Sequence, residues 1–527
     1  MRRLDRHKRQ ARRMARLVAF VLALALVASS CSAGDAGLSD AESASDSEES
    51  GDYVAEEAAP IEPIPDDPTT GREDSNFEDP GVNPRTDPNQ DAQSTFALDV
   101  DTGSYTLARS WINDGRLPTF ESVRLEEYVN YFDQGYEPPT DETFAIHADG
   151  GPTPFLEDDS YRLLRIGLQS KVVEDANRPD SRLTFVVDVS GSMTEPINDV
   201  QKAMEVMLNE LRPTDEVAIV VYGSEAYTLL EHTPASDSRR IRAAIDQLEV
   251  EGSTNAEAGL ELGYSEADAA FLPGGINRVI LLSDGVANVG ATDPDEILET
   301  IEESAGDGIN LVTVGFGEGQ FNDNLMEQLA DSGDGFYAYV DGEQEAIRLF
   351  RDDLTGTLLT VAKDAKIQVE FNTNTVLQYR LLGFENRAIA DEDFDRQVDA
   401  GEIGAGHSVT ALHELQLVNP GSATDELATV ALKWEEPENG ERKELTQPVS
   451  SRDLAERYDD TDPHFQLTST VASWAEILRK SQYVADSESA TLTAVADEAN
   501  RLSAGPLRGD EQATEFAGLT DRAVRVR

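Results

Sequence analysis

Leu183-Thr184-Phe185-Val186-Val187-Asp188-Val189-Ser190-Gly191-Ser192 is the stretch that decides the fold of this 527-residue chain. A run of apolar and β-branched residues has the composition of a strand buried on both faces. It ends on a carboxylate followed by two hydroxyls at alternate positions. The C-terminal edge of a parallel sheet is where open α/β folds place their ligands, and hard divalent cations take oxygen donors.

Working outward, Ile197, Val200, Met204, Met207, Leu208 and Leu211 repeat at helical spacing, and Pro213 closes that helix. Strands are predicted at 216–222, 278–282 and 309–316, and helices at 237–248, 255–271, 293–305 and 322–330. Strand and helix alternate as in a doubly wound, mostly parallel α/β sheet. Two further oxygen-rich turns fall within this pattern, Gly252-Ser253-Thr254-Asn255 and Ser283-Asp284-Gly285. Together the three segments offer Asp188, Ser190, Ser192, Thr254 and Asp284. Three of these five groups are neutral hydroxyls, and such a set leaves a coordination position to water that an external carboxylate can take. The competing reading makes Asp188, Ser190 and Thr254 caps of the helices that follow.

Asp-x-Ser-x-Ser, Gly-Ser-Thr-Asn and a strand-terminal Ser-Asp-Gly resemble the metal-ion-dependent adhesion site of the von Willebrand factor A domain, over about residues 182–356. The resemblance implies a Rossmann-like sheet with Mg2+ (or Mn2+ or Ca2+) at its top, held by those five residues. It also implies a protein partner that presents an exposed Asp or Glu. Two other uses of the residues stay open: an envelope assembly or scaffold protein with a purely structural metal, and a metal-dependent hydrolase. No His, Lys or Cys near the three segments offers a base or nucleophile, so no catalytic residue is assigned. His413-Glu414-Leu415-Gln416-Leu417 lacks the second His of a zinc-protease helix, and no phosphate loop or dinucleotide fingerprint is present.

Residues 1–16 carry eight Lys or Arg against one Asp, and Leu17–Val27 is an apolar run of eleven. This has the form of a signal peptide (1–30) and is too short to span a bilayer. It runs into Cys31, the only cysteine, in a context that resembles a bacterial lipoprotein cleavage box. That resemblance implies lipidation of Cys31 and an extracytoplasmic protein anchored to a membrane. Residues 35–91 hold eighteen acidic and two basic residues with few large apolar groups, so 31–93 reads as a disordered acidic tether. The whole chain carries 102 acidic against 43 basic residues, a formal charge of −59. Such a surface opposes nucleic acid. Oligomeric state is not readable.

Residues 94–181 read as a helical and β module, 357–450 as β-rich and 451–527 as helical. Phe96–Tyr105, Gly383–Arg387 and Gly401–His407 resemble the flanking modules of YfbK-type bacterial von Willebrand A lipoproteins. Strand patterns on both sides of the 182–356 domain suggest a β-sandwich assembled from the two flanks. Asp99 and Asp101 read as a turn and helix cap rather than metal ligands. Asp391, Asp393, Asp395, Asp399 and Glu402 fall at positions 1, 3, 5, 9 and 12 of a calcium loop. However, Arg396 stands where such a loop needs Gly, so an acidic hairpin loop competes with a second calcium site.

Overall fold

The computed structural model describes residues 77, 79–98, 101–156, 160–285, 294–317, 322–396, 400–419, 426–484 and 490–526, which belong to one compact unit. The leading flank supplies β1 (Gln93–Ala97), α1 (Gly103–Asn113), α2 (Leu125–Asn130), β2 (Phe144–Gly151) and β3 (Tyr161–Ser170).

The central domain follows with β4 (Ser181–Asp188), α3 (Ile197–Glu210), β5 (Glu216–Tyr222), β6 (Ala226–Pro234), α4 (Ser238–Ile245), α5 (Ala256–Ala269), β7 (Ile276–Ser283), α6 (Pro294–Gly306), β8 (Asn310–Phe316), α7 (Asp323–Ser332), β9 (Tyr337–Val340), α8 (Glu343–Ile347) and α9 (Leu354–Leu358). Its six strands lie in the order β6-β5-β4-β7-β8-β9. All neighbours are parallel except the edge pair β5–β6. Alternate residues of β4 feed opposite cores. Phe185 and Val187 pack with α3 and α4, whereas Val186 packs with α5 and α7. Chain order reverses at β4, which has β5 on one side and β7 on the other, so the crevice above Asp188 is the sheet's topological switch point.

The trailing flank adds β10 (Thr360–Phe371), β11 (Val376–Leu382), β12 (Gly401–Gly404), β13 (Ser408–Leu417), β14 (Glu426–Glu435) and β15 (Arg442–Ser450). These strands interleave with the leading flank. One sheet runs β1-β10-β14-β15 with β12 on β10, the other β11-β13-β3-β2. Phe96, Ile166, Ile367, Leu415 and Val430 meet in the single core between them. The β-sandwich built from both flanks is therefore present, with the α/β domain emerging between β3 and β10. Three last helices, α10 (Pro463–Leu478), α11 (Leu492–Ala504) and α12 (Glu511–Val526), pack on α1 and α2 around Tyr105, Tyr128, Trp474 and Phe516. From α1, Leu107 and Trp111 also cover one face of the central sheet.

Two expectations need correction. The acidic tether does not extend to residue 93. Thr86 exchanges both backbone hydrogen bonds with Tyr379 of β11, and Arg85 pairs with Glu414 at 2.7 Å while lying over the Tyr161 and Tyr483 rings. Asp101 does not cap α1, whose N-cap residue Thr102 makes no side-chain capping bond. Its carboxylate instead accepts the backbone N–H of Tyr337 at 2.8 Å and faces Arg387 at 3.5 Å. Asp99, Cys31 and the signal segment lie outside the described residues. Among the described residues no helix is long and apolar enough to cross a membrane.

Candidate metal centre at the C-terminal edge of the central sheet

Asp188 ends β4 with no exposed surface. Its two carboxylate oxygens are held by three donors. One oxygen accepts the Ser190 backbone N–H at 2.8 Å. The other accepts Tyr222 O–H at 3.2 Å and Ser283 O–H at 3.0 Å. The sheet register accounts for this arrangement. Tyr222 is the partner of Asp188 on the parallel neighbour β5, and Ser283 follows Leu282, the partner of Val187 on β7. Burial is the main push raising the Asp188 carboxyl above its ordinary range; the Ser190 and Ser283 bonds oppose it, and neighbouring Asp284 adds to it. The Tyr222 phenol, pushed well up by burial, keeps its proton and remains a donor.

After Asp188 the chain makes a short 3-10 turn, Gly191–Thr194, which brings the Ser190 and Ser192 hydroxyls to 3.1 Å from each other. Ser190 is buried and Ser192 exposed. The Thr254 loop is tied to this turn by two backbone bonds, Gly191 N–H to Gly252 O at 3.2 Å and Glu251 N–H to Val189 O at 2.6 Å. Gly252 sits at φ +76°, a left-handed conformation that favours glycine. Thr254 itself is half-buried, and Asp284 is buried immediately after β7.

The structure thus gathers the five sequence-predicted residues at one end of the sheet. The helix-capping alternative does not hold: the 3-10 turn has no side-chain cap at Ser190, and α5 is capped by Asn255 rather than Thr254. Sequence reasoning missed the roles of Tyr222 and Ser283. The signal was available in the alignment of parallel strand ends, where a polar residue beside Asp188 on each neighbour can reach its carboxylate.

The donor set is all oxygen, with two buried carboxylates and three hydroxyls. Like-charged Asp188 and Asp284 are held near one another on loops that carry no cation: residues 188–196, 222–227, 249–257 and 283–285 contain no Lys, Arg or His. These residues fit a hard dication such as Mg2+.

The described carboxylates of the expected calcium loop are engaged differently. Asp391–Asp393 form a 3-10 turn, and Glu402 lies on β12. Asp391 accepts Thr95 O–H at 2.5 Å, Asp393 pairs with Arg396 at 2.6 Å, and Asp395 pairs with Lys433. The carboxylates are drawn to separate donors, and the described residues hold no cluster of three or more acidic, His or Cys ligands. Asp399 lies outside the described residues.

Residues 183–352 match the von Willebrand factor type A domain, residues 71–165 the family described as von Willebrand factor, and residues 356–522 the C-terminal region of uncharacterized protein YfbK. The fold and the donor set define a von Willebrand A domain protein, a class that often mediates protein–protein interaction and commonly binds a divalent metal at this position. The chain is 36% identical over 423 residues to uncharacterized protein YfbK of Escherichia coli, covering 75% of this chain and 72% of the relative. It belongs to the YfbK family. An uncharacterized Synechocystis protein is 26% identical over 312 residues, 57% of this chain and 71% of that one. A solved von Willebrand factor type A protein from Catenulispora acidiphila covers 71% of this chain and 89% of its own, at 16% identity and TM-score 0.42.

Proposed function

We propose that this protein is a lipid-anchored, extracytoplasmic binding protein that engages an acidic group of a protein partner through a divalent cation, with no catalytic step. Asp188, Ser190, Ser192, Thr254 and Asp284 would hold the cation, and Tyr222 and Ser283 would orient Asp188. The cation, when bound, supplies a Lewis-acidic position that a partner's carboxylate completes. The observation that carries this reading is the Asp188 carboxylate, held by the Ser190 N–H, beside the paired Ser190 and Ser192 hydroxyls at the sheet's switch point. Anchoring through Cys31 rests on the leader sequence.

The test is affinity capture from envelope extract on the full chain, with Mg2+, with chelator, and with Asp188→Ala. A partner retained only by the wild-type chain in Mg2+ supports the proposal. Equal capture by Asp188→Ala in chelator sinks it. Anchoring is tested separately, by whether Cys31→Ser moves the protein from the membrane fraction to the soluble fraction.

A further inference from the structure

The electrostatics of the metal face narrow the kind of carboxylate it accepts. Carboxylates exposed on the loops around the five donors include Glu195, Glu225 and Glu251. Those loops contain no Lys, Arg or His to balance them. A dication facing Asp188 and Asp284 is neutralised by them, so the rim leaves the face negative. An acid that arrives alone, or among other acids, meets repulsion from a chain carrying −59 overall.

One group on this rim stands apart. Tyr227 is 46% exposed, and the other exposed large apolar residues, Val172, Leu377 and Val418, lie outside the central domain. Its hydroxyl donates to Glu251 at 3.0 Å, which sets an aromatic ring beside a carboxylate. Glu251 is itself anchored to the ligand turn through Val189 and precedes Thr254 by three residues, a reach of at most about 10 Å. An aromatic face next to a carboxylate is a receptor for a Lys or Arg side chain, which gains cation–π and ionic attraction together.

We infer that the metal face recognises a carboxylate presented within a basic segment of its partner, with Tyr227 and Glu251 receiving the flanking cation. This rests on the metal-bridged reading above and adds to it the chemical context of the partner's acid. At about 10 Å in water one unit charge shifts binding of another about twofold. Three rim carboxylates acting on two flanking lysines make six such pairs, about sixtyfold unscreened; at about 0.03 M salt screening cuts each pair to about 1.5-fold and the product to about tenfold. Ionic strength screens this over a Debye length of about 10 Å at 0.1 M.

The experiment uses the full chain in Mg2+ and four fluorescent peptides read by anisotropy. Three carry a central Asp flanked by Lys, by Ser or by Glu, and the fourth has Asn in the Lys context. The Lys-flanked Asp peptide should bind about tenfold tighter than the Ser-flanked one, the Glu-flanked peptide weakest, and the advantage should shrink as salt rises. Tyr227→Ala and Glu251→Gln should each bring the Lys-to-Ser preference towards parity while Mg2+-dependent melting is kept, showing that the metal loops are intact. Equal binding of the Lys- and Ser-flanked Asp peptides, or a preference that neither variant alters, overturns the inference while leaving the metal bridge standing. Binding of the Asn peptide as tight as the Asp peptide, or binding that survives chelator, overturns the metal bridge itself and the inference with it, as does failure of every Asp peptide to bind.

Discussion

Replacing Gly259 with Ala should damage the metal site more than the fold. Gly259 lies on α5 directly against Tyr222, and a Cβ there would stand 2.5 Å from Cδ1 and 2.7 Å from Cγ of that ring. Carbon atoms pack comfortably at about 3.5–4 Å, so the ring or the helix must yield by about 1 Å. If the ring yields, the 3.2 Å bond from Tyr222 to Asp188 is carried beyond hydrogen-bonding range. If the helix yields, Thr254 at its leading end moves away from the Ser190–Ser192 turn. Overpacking costs about 1–3 kcal/mol, and replacing a helical glycine by alanine returns about 1 kcal/mol. The expected net loss of stability is about 0–2 kcal/mol. Loss of an outer-sphere hydrogen bond to a ligand typically lowers metal affinity about 10–100-fold.

Gly263, one turn further along α5, provides the control. A Cβ there would press on Val186, which makes no contact with the Asp188 carboxylate through a polar group. Gly263→Ala should show similar strain and near wild-type metal affinity. Calorimetric titration of Mg2+ into each full-length variant, with urea unfolding in chelator, gives both quantities. Equal weakening by the two substitutions, or unchanged affinity in Gly259→Ala, would refute the claim that Tyr222 positions the ligand carboxylate.

Mg2+ at about a hundred times its dissociation constant should add about 2.7 kcal/mol to unfolding stability, and Asp188→Ala should abolish that increment in thermal melts. The Asp215 and Arg178 side chains are both fully buried and pair at 2.7 Å; Asp215→Ala leaves the guanidinium only the more exposed Asp175 as an ionic partner and should cost about 3 kcal/mol in urea unfolding. The bonds from Arg178 and the Ser181 amide outweigh burial and hold Asp215 down at about 2, so its contribution is full above about pH 4 and is lost as pH falls towards 2. Burial lowers the fully enclosed His413 to about 3. The unfolded chain protonates it near pH 6.5, so stability is full at neutral pH and falls below it. The loss between pH 7 and pH 5 is about 2 kcal/mol from this residue, and His413→Gln should remove that share. Asp391→Asn with Asp393→Asn should leave calcium titrations unchanged.

The central domain was legible because β4, β5, β7 and β8 are apolar runs buried on both faces, punctuated by oxygen-rich turns. Edge strand β6 escaped notice because half-exposed and polar residues alternate along it, and β9 is only four residues long. The acidic loop at 391–402 was ambiguous for a different reason. Spacing along one segment is blind to Lys433, which arrives from β14 to take Asp395, and to Lys366 from β10, which donates to the Asp393 carbonyl at 2.9 Å. The same blindness hid Asp101, whose partner Tyr337 lies 236 residues away. Residues 79–92 look too polar to order themselves. They are ordered by Glu414, Tyr379 and Tyr483, which belong to the far end of the chain.

Arginines that are absent from the loops around Asp188 are instead placed at the seams between modules. Arg109 of α1 reaches Asp341 at 2.6 Å and Glu345 at 2.8 Å on the central domain, and Glu515 of α12 at 3.1 Å. Arg124, just before α2, pairs with Glu327 of α7 at 2.8 Å, and Arg387 of the trailing flank meets Glu327 at 3.0 Å and Asp331 at 2.8 Å. The buried pairs among these, Arg109–Glu345 and Arg124–Glu327, contribute little net stability relative to an apolar seam, yet breaking one is costly. Their effect is directional: a carboxylate on the central domain accepts only the flank surface that brings its arginine into place. Because the sandwich needs strands from before and after the insert, both ends of the central domain are fixed, and these pairs then fix its orientation. The acidic loops around Asp188 carry none of these cations, which serve instead at the seams that orient the domain.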